Sequence, residues 1–144
     1  MNFYRMRSNA IAPTRATQGS ACYDLYACID HPITLGPNSK YAIPTGIILE
    51  IPEGHVVKVY ARSSVGFKRD LVLCNSVGII DHDYRNELML LLRNVGYNPV
   101  TIEDGERLAQ MMLEKVLSYE LVEVSEQPKM MESRSGGIGS TGVR

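Results

Sequence analysis

The chain has 144 residues, 44% of them hydrophobic and 22% charged, with a formal net charge of −1. That length fits one domain able to bury a core, and the balanced charge offers neither a global basic field for nucleic acid nor an acidic tail. The cysteine count is odd (Cys22, Cys28, Cys74) with no C-x-x-C spacing, and the histidines are scattered, so neither a disulfide framework nor a metal cluster is expected. The cysteines sit mostly among small or apolar residues and read as buried, reduced thiols.

In chain order, the first residues, Met1-Asn-Phe-Tyr-Arg-Met-Arg, lack the apolar run of a secretory signal, and no later run approaches membrane-spanning length. A soluble cytoplasmic protein with no membrane contact is the simplest expectation. Prolines at 13, 32, 37, 44 and 52 exclude a long helix from the first third. Between recurrent glycines lie β-leaning segments: Tyr41–Ile43, Gly46–Ile51, His55–Ala61, Leu71–Cys74, Glu87–Arg93 and Val100–Ile102. Many short strands separated by turn signals predict an all-β sandwich or barrel. A short helix is expected at Arg62–Phe67, with Ser63 or Ser64 as its cap. Arg107–Leu117 conflicts with this pattern, because Leu108, Met111, Met112 and Lys115 recur at helical spacing in residues that favour helix. Residues 1–124 are expected to form the core and 125–133 a linker. The end, 134–144, is a glycine-rich arm with too few apolar residues to build a core.

Five clusters stand apart from the core pattern, each with two readings. Ala21-Cys-Tyr-Asp-Leu25 sets Asp24 in a small, apolar neighbourhood, where it is either a turn cap or a site carboxylate. Ala61-Arg-Ser-Ser64 offers a guanidinium and hydroxyls suited to phosphate oxygens, or an ordinary loop. In Gly78-Ile-Ile-Asp-His-Asp-Tyr-Arg85, Asp81 follows two β-branched residues. Its carboxylate is expected at the edge of the core, partly desolvated as suits a general base; the alternative is a plain hairpin whose Asp81 and Asp83 satisfy turn N–H groups. Gly105-Glu-Arg-Leu-Ala-Gln110 supplies Arg107 and Gln110, as site groups or as a solvated face. The arm Arg134–Arg144 carries donors able to grip an anion, or is a simple flexible terminus.

In this order the clusters resemble the five motifs of the homotrimeric dUTPases, from Ala21 to Val143. Gly78–Arg85 is close to the family's G-V-I-D-x-D-Y-R-G and Gly105–Gln110 to its G-D/E-R-I-A-Q. Arg134–Gly142 is similar to R-G-x-G-G-F-G-S-T-G, and Ala21–Leu25 to A-G-Y-D-L. The resemblance implies a β jelly roll (a distorted barrel), a homotrimer whose sites draw on all three chains, and Arg107–Leu117 as strand rather than helix. It also implies hydrolysis of dUTP to dUMP and pyrophosphate with Mg2+, which limits uracil in DNA and supplies dUMP.

The same resemblance implies the residue roles. Asp81 activates the water that attacks the α-phosphorus, and Gln110 bonds around that water and the α-phosphate. Tyr84 packs on the deoxyribose and rejects a 2′-hydroxyl; Asn75 and the main chain of the Val77–Tyr84 hairpin, Val77 and Ile80 among it, read the uracil edge. Arg62, Ser63 and Ser64 belong to the phosphate site, while Asp24 orders the water shell of the metal. In the arm, Arg134, Gly139, Ser140 and Thr141 grip the γ-phosphate, and Ile138 stands where the family stacks a Phe on uracil. A protein partner is implied only if the chain is of phage or viral origin.

Further departures are Ser135, Ser64, Asn86 and Cys22 in place of glycines and Ala61 in place of a proline. The fold-sharing dCTP deaminases need a Glu where this chain has Leu91, so deamination is not expected. A P-loop is excluded because no Lys precedes the arm's Ser-Thr. A nucleotide-sensing module with a degenerate site is the remaining rival, and the intact Asp81 counts against it.

Overall fold

The structure is a computed structural model and describes residues 1–129. Among these, the strands are β1 (Asn2–Arg5), β2 (Tyr23–Tyr26), β3 (Ile33–Leu35), β4 (Lys40–Pro44), β5 (Ile47–Glu50), β6 (His55–Ala61), β7 (Leu71–Leu73), β8 (Gly78–Ile80), β9 (Met89–Asn94), β10 (Val100–Ile102) and β11 (Arg107–Lys115). Among the same residues a single helix, α1 (Ser63–Arg69), interrupts them. Every pairing is antiparallel: β2-β11-β6-β8 form the largest sheet, β4-β9-β7 a second, and β1-β5 and β10-β3 two ribbons. This is a β jelly roll, as expected.

Alternation sorts the strands onto the core. Leu90 and Leu92 of β9, Ile47 and Leu49 of β5 and Val57 of β6 point inward with Leu25, Leu35, Ile43, Leu71, Ile102 and Leu108. Burying that many aliphatic side chains, each contributing about 1.5–3 kcal/mol, is the main stabilising term. Asn94 is fully buried and satisfied, its side-chain amide donating to the carbonyls of Leu35 and Asn98 and its oxygen accepting from the N–H of Gly96.

Two local expectations change. The helix starts at Ser63, and its N-cap is Arg62, in an extended conformation with no side-chain cap. Ser63 and Ser64 therefore lie inside the first turn, not at its cap, while the side chain of Arg62 is drawn to a carboxylate described below. The thiols are free but not all buried: Cys28 is buried, Cys22 half-buried and Cys74 exposed, because Cys74 lies just past the end of β7. Burial pushes the Cys28 thiol pKa up, and its Sγ donates to Asn9 Oδ1 at 3.2 Å. Titrating the native protein with a thiol-reactive disulfide is expected to modify Cys74 and spare Cys28 until denaturant is added. Early loss of Cys28 would mean that this part of the core opens freely.

Candidate active site

Arg107–Lys115 is a strand, and its helical spacing has a structural cause. β11 pairs regularly with β6, but its register against β2 shifts between Arg107 and Ala109. In an unbroken strand, residues three apart face opposite sides of the sheet. The bulge absorbs one residue, so Arg107 (opposite Tyr26) and Gln110 (opposite Asp24) both face the side that carries Asp24. Leu108 and Ala109 are consecutive and both fully buried, which strict strand alternation would not allow on one face. The turn that feeds it needs Gly105, whose φ of 74° lies in the left-handed region, and the pairing is held by Gly105 N–H to the carbonyl of Ala27 and Ala27 N–H to the carbonyl of Glu106.

Asp24 is the one charged side chain buried among the described residues, at 7% exposure. Two arginines compensate it. Arg62 Nε lies 3.0 Å from Oδ1, and Arg107 Nη1 lies 3.3 Å from Oδ2. Arg62 also donates weakly to the carbonyl of Arg107 at 3.4 Å, and Gln110 Nε2 to the carbonyl of Ala61 at 3.3 Å. At the far end of α1, Arg69 pairs with Glu106 and donates to the carbonyl of Thr101, tying the helix to the loop before β11. The start of α1 is held to β11 by the N–H of Arg62, which donates to the carbonyl of Leu108 at 3.3 Å.

A cleft of about 270 Å³ opens over this cluster, lined by Ala16, Ser20, Ala21, Cys22, Asp24, Arg62, Ser63 and Gln110. Four expected site residues (Asp24, Arg62, Ser63, Gln110) thus meet in one place; Ser64, half-buried, lies in the helix turn behind Ser63. Ala16 and Ser20 were not singled out in the sequence, and only their position just before Ala21–Leu25 could have suggested them. A larger groove of about 410 Å³, lined by Met1, Phe3, Tyr23, Leu49 and Met111–Leu113, holds Arg15 as its one charged side chain. It contains no acid–base pair, so size does not select the site here.

The hairpin residues gather elsewhere. A small pocket of about 70 Å³ is lined by Asn75, Gly78 and Ile80 together with Val59 and Leu88–Leu90. β8 lies close on β6 there, since a Cβ at Gly78 would sit 3.2 Å from that of Val59. Val77 is half-buried, its N–H bonded to the carbonyl of Asn75 at 2.6 Å. Tyr84 is 37% exposed; its N–H donates to the carbonyl of Asp81 at 3.2 Å and its hydroxyl to the carbonyl of Glu87 at 3.0 Å. Asp81 corrects an expectation. Its side chain is exposed, not lodged at the edge of the core, because β8 ends at Ile80 and residues 81–86 form an exposed turn. The two pockets have no lining residue in common. The arm residues Arg134, Ile138, Gly139, Ser140 and Thr141 lie outside the described residues.

A family model described as dUTPase matches residues 8–142. The chain belongs to the dUTPase family. It is 39% identical to the deoxyuridine 5'-triphosphate nucleotidohydrolase of Hydrogenobaculum sp. over 97% of this chain and 96% of that one. The enzyme of the same name from Rhizobium johnstonii is 41% identical over 91% and 85%. Among solved structures, the dUTPase of Staphylococcus bacteriophage 80alpha with dUPNHPP superposes with a TM-score of 0.87 at 28% identity, covering 99% of this chain and 98% of that chain. A variant of the dUTPase from phage phi11 of S. aureus, described with a structural Mg(II) ion, gives 0.79 at 26% identity over 87% and 96%. Among the described residues no helix is long and apolar enough to cross a membrane.

Proposed function

We propose that this chain hydrolyses dUTP to dUMP and pyrophosphate at a site completed by more than one copy of itself, most simply the homotrimer of its family. The observation that carries the reading is the cleft where Asp24, Arg62, Ser63 and Gln110 converge. A buried carboxylate between two guanidiniums leaves one positive charge in excess, and hydroxyl and amide groups lie beside it. That donor set suits phosphate oxygens.

Shared sites are supported by three features of the single chain. The uracil-reading hairpin and the phosphate cleft are separate pockets. Asp81 is exposed, whereas a general base works best partly desolvated, so a neighbouring copy is the natural cover. Leu117, Tyr119, Leu121 and Val122 are 84%, 75%, 90% and 76% exposed, an apolar run that assembly would bury.

In the proposed step, the Asp81 carboxylate takes a proton from water as the water oxygen bonds to the α-phosphorus. The bond from that phosphorus to the oxygen bridging to the β-phosphorus breaks, and the pyrophosphate leaves with that oxygen. Arg62 and Ser63 hold the phosphates, Ser63 nearest the bridging oxygen, and Gln110 orients the water. Tyr84 lies against the deoxyribose, and Asn75, Val77 and Ile80 bound the base. Positioning and charge compensation supply the rate.

The residues also fit Mg2+ held through its waters. No group of three or more metal-ligating side chains occurs among the described residues, but Asp24 is a single fixed carboxylate facing the cleft. Mg2+ keeps most of its waters and binds mainly to substrate phosphates, which it neutralises when bound.

A pyrophosphate-release assay with dUTP, UTP, dTTP and dCTP tests the reading. Turnover is expected for dUTP, with UTP discriminated against by about 10²-fold or more if Tyr84 blocks the 2′-hydroxyl. No release from dUTP would sink the enzyme assignment, and equal rates on UTP would remove the role of Tyr84.

A further inference from the structure

We propose that Arg107 is a positioning residue for the phosphate site, acting through Asp24 on the aim of Arg62; this rests on reading the cleft as the triphosphate site. Arg62 lines the cleft and Arg107 does not. The closest approach of Arg62 to Asp24 is Nε to Oδ1 at 3.0 Å, an ion pair without hydrogen-bond geometry, while Oδ2 accepts a hydrogen bond from Arg107 Nη1 at 3.3 Å. The outer N–H groups of Arg62 make no hydrogen bond to the carboxylate; that from Nη1 goes to the carbonyl of Arg107 and is long at 3.4 Å. Those outer groups are the ones a phosphate would use.

Without Arg107, Oδ2 is free, and the most favourable arrangement for an isolated Arg–carboxylate pair is the two-bond fork. Arg62 would then turn its outer N–H groups onto Asp24 and withhold them from the nucleotide. The bulge in β11 makes the arrangement possible, since it places Arg107 and Gln110 on the same side as Asp24. Arg107 is thus a competitor for one carboxylate oxygen, and its effect on substrate is indirect.

The test uses Arg107→Met and Arg107→Lys in the full chain, each alone and with Asp24→Asn. The readouts are calorimetric affinity for a non-hydrolysable α,β-imido dUTP and steady-state kinetics with dUTP. Binding of the analogue by the unaltered chain tests the site reading itself; changes between variants test Arg107. Arg107→Met is expected to weaken analogue binding and raise KM by about tenfold, with kcat within about threefold. Arg107→Lys, which still covers Oδ2 with a cation, should stay within about threefold of the unaltered chain. With Asp24→Asn present, adding Arg107→Met should cost nothing further, since the amide cannot form the charged fork. An equal loss in both backgrounds would mean that Arg107 touches the nucleotide directly, and unchanged affinity in Arg107→Met would mean it has no role; either overturns the proposal. Should Arg107→Met fail to fold, a tenfold loss in a folded Arg107→Lys would overturn it as well.

Discussion

Asp81→Asn is expected to lower kcat for dUTP by about 10²–10⁴-fold, the usual contribution of a positioned general base. Asn matches the carboxylate in size but cannot accept the proton of the attacking water. The substitution should leave the fold alone. The side chain of Asp81 is exposed, and its turn is held by a backbone bond, from Tyr84 N–H to the carbonyl of Asp81 at 3.2 Å, that Asn retains. Thermal stability and affinity for an imido analogue of dUTP should therefore stay near those of the unaltered chain while turnover collapses. If kcat fell less than about tenfold, the base would have to be sought elsewhere, since water attack would be proceeding without Asp81.

Much of this site was legible in the sequence because its donors are unusual residue types in β-leaning surroundings. Asp24 sits between apolar and small neighbours, Arg62 directly follows one strand, and Asp81 directly follows another. What could not be read was which of them meet. The contact from Arg107 to Asp24 spans 83 positions, and it depends on the strand order β2-β11-β6, which no local pattern encodes. The helical spacing of Leu108, Met111 and Lys115 was misleading on its own, because a bulge changes the facing rule inside one strand. Family resemblance, not periodicity, pointed to strand. The exposure of Asp81 was illegible for a different reason: two β-branched residues predict a buried strand, but not that the strand stops one residue before the carboxylate. Cys74 shows the same effect at the end of β7.

Two inactive variants are expected to restore activity to each other when mixed. One is Asp81→Asn, altered only in the hairpin; the other is Arg62→Gln with Gln110→Ala, altered only in the cleft. The hairpin and cleft pockets share no lining residue in one chain. If each working site pairs the cleft of one copy with the hairpin of another, refolding the two variants together in equal amounts gives an intact site whenever an unaltered cleft meets an unaltered hairpin. Half of the clefts and half of the hairpins are unaltered, so about a quarter of the unaltered activity should return for any cyclic assembly with random mixing. The yield does not depend on the number of copies, so sedimentation is needed alongside it to establish three. A site built within a single chain predicts the opposite: every cleft and hairpin would stay linked to its own defect, and the mixture would remain as inactive as its parts. The outcome also bears on Asp81, because rescue would mean that the cover missing from its exposed carboxylate in one chain is supplied by the next.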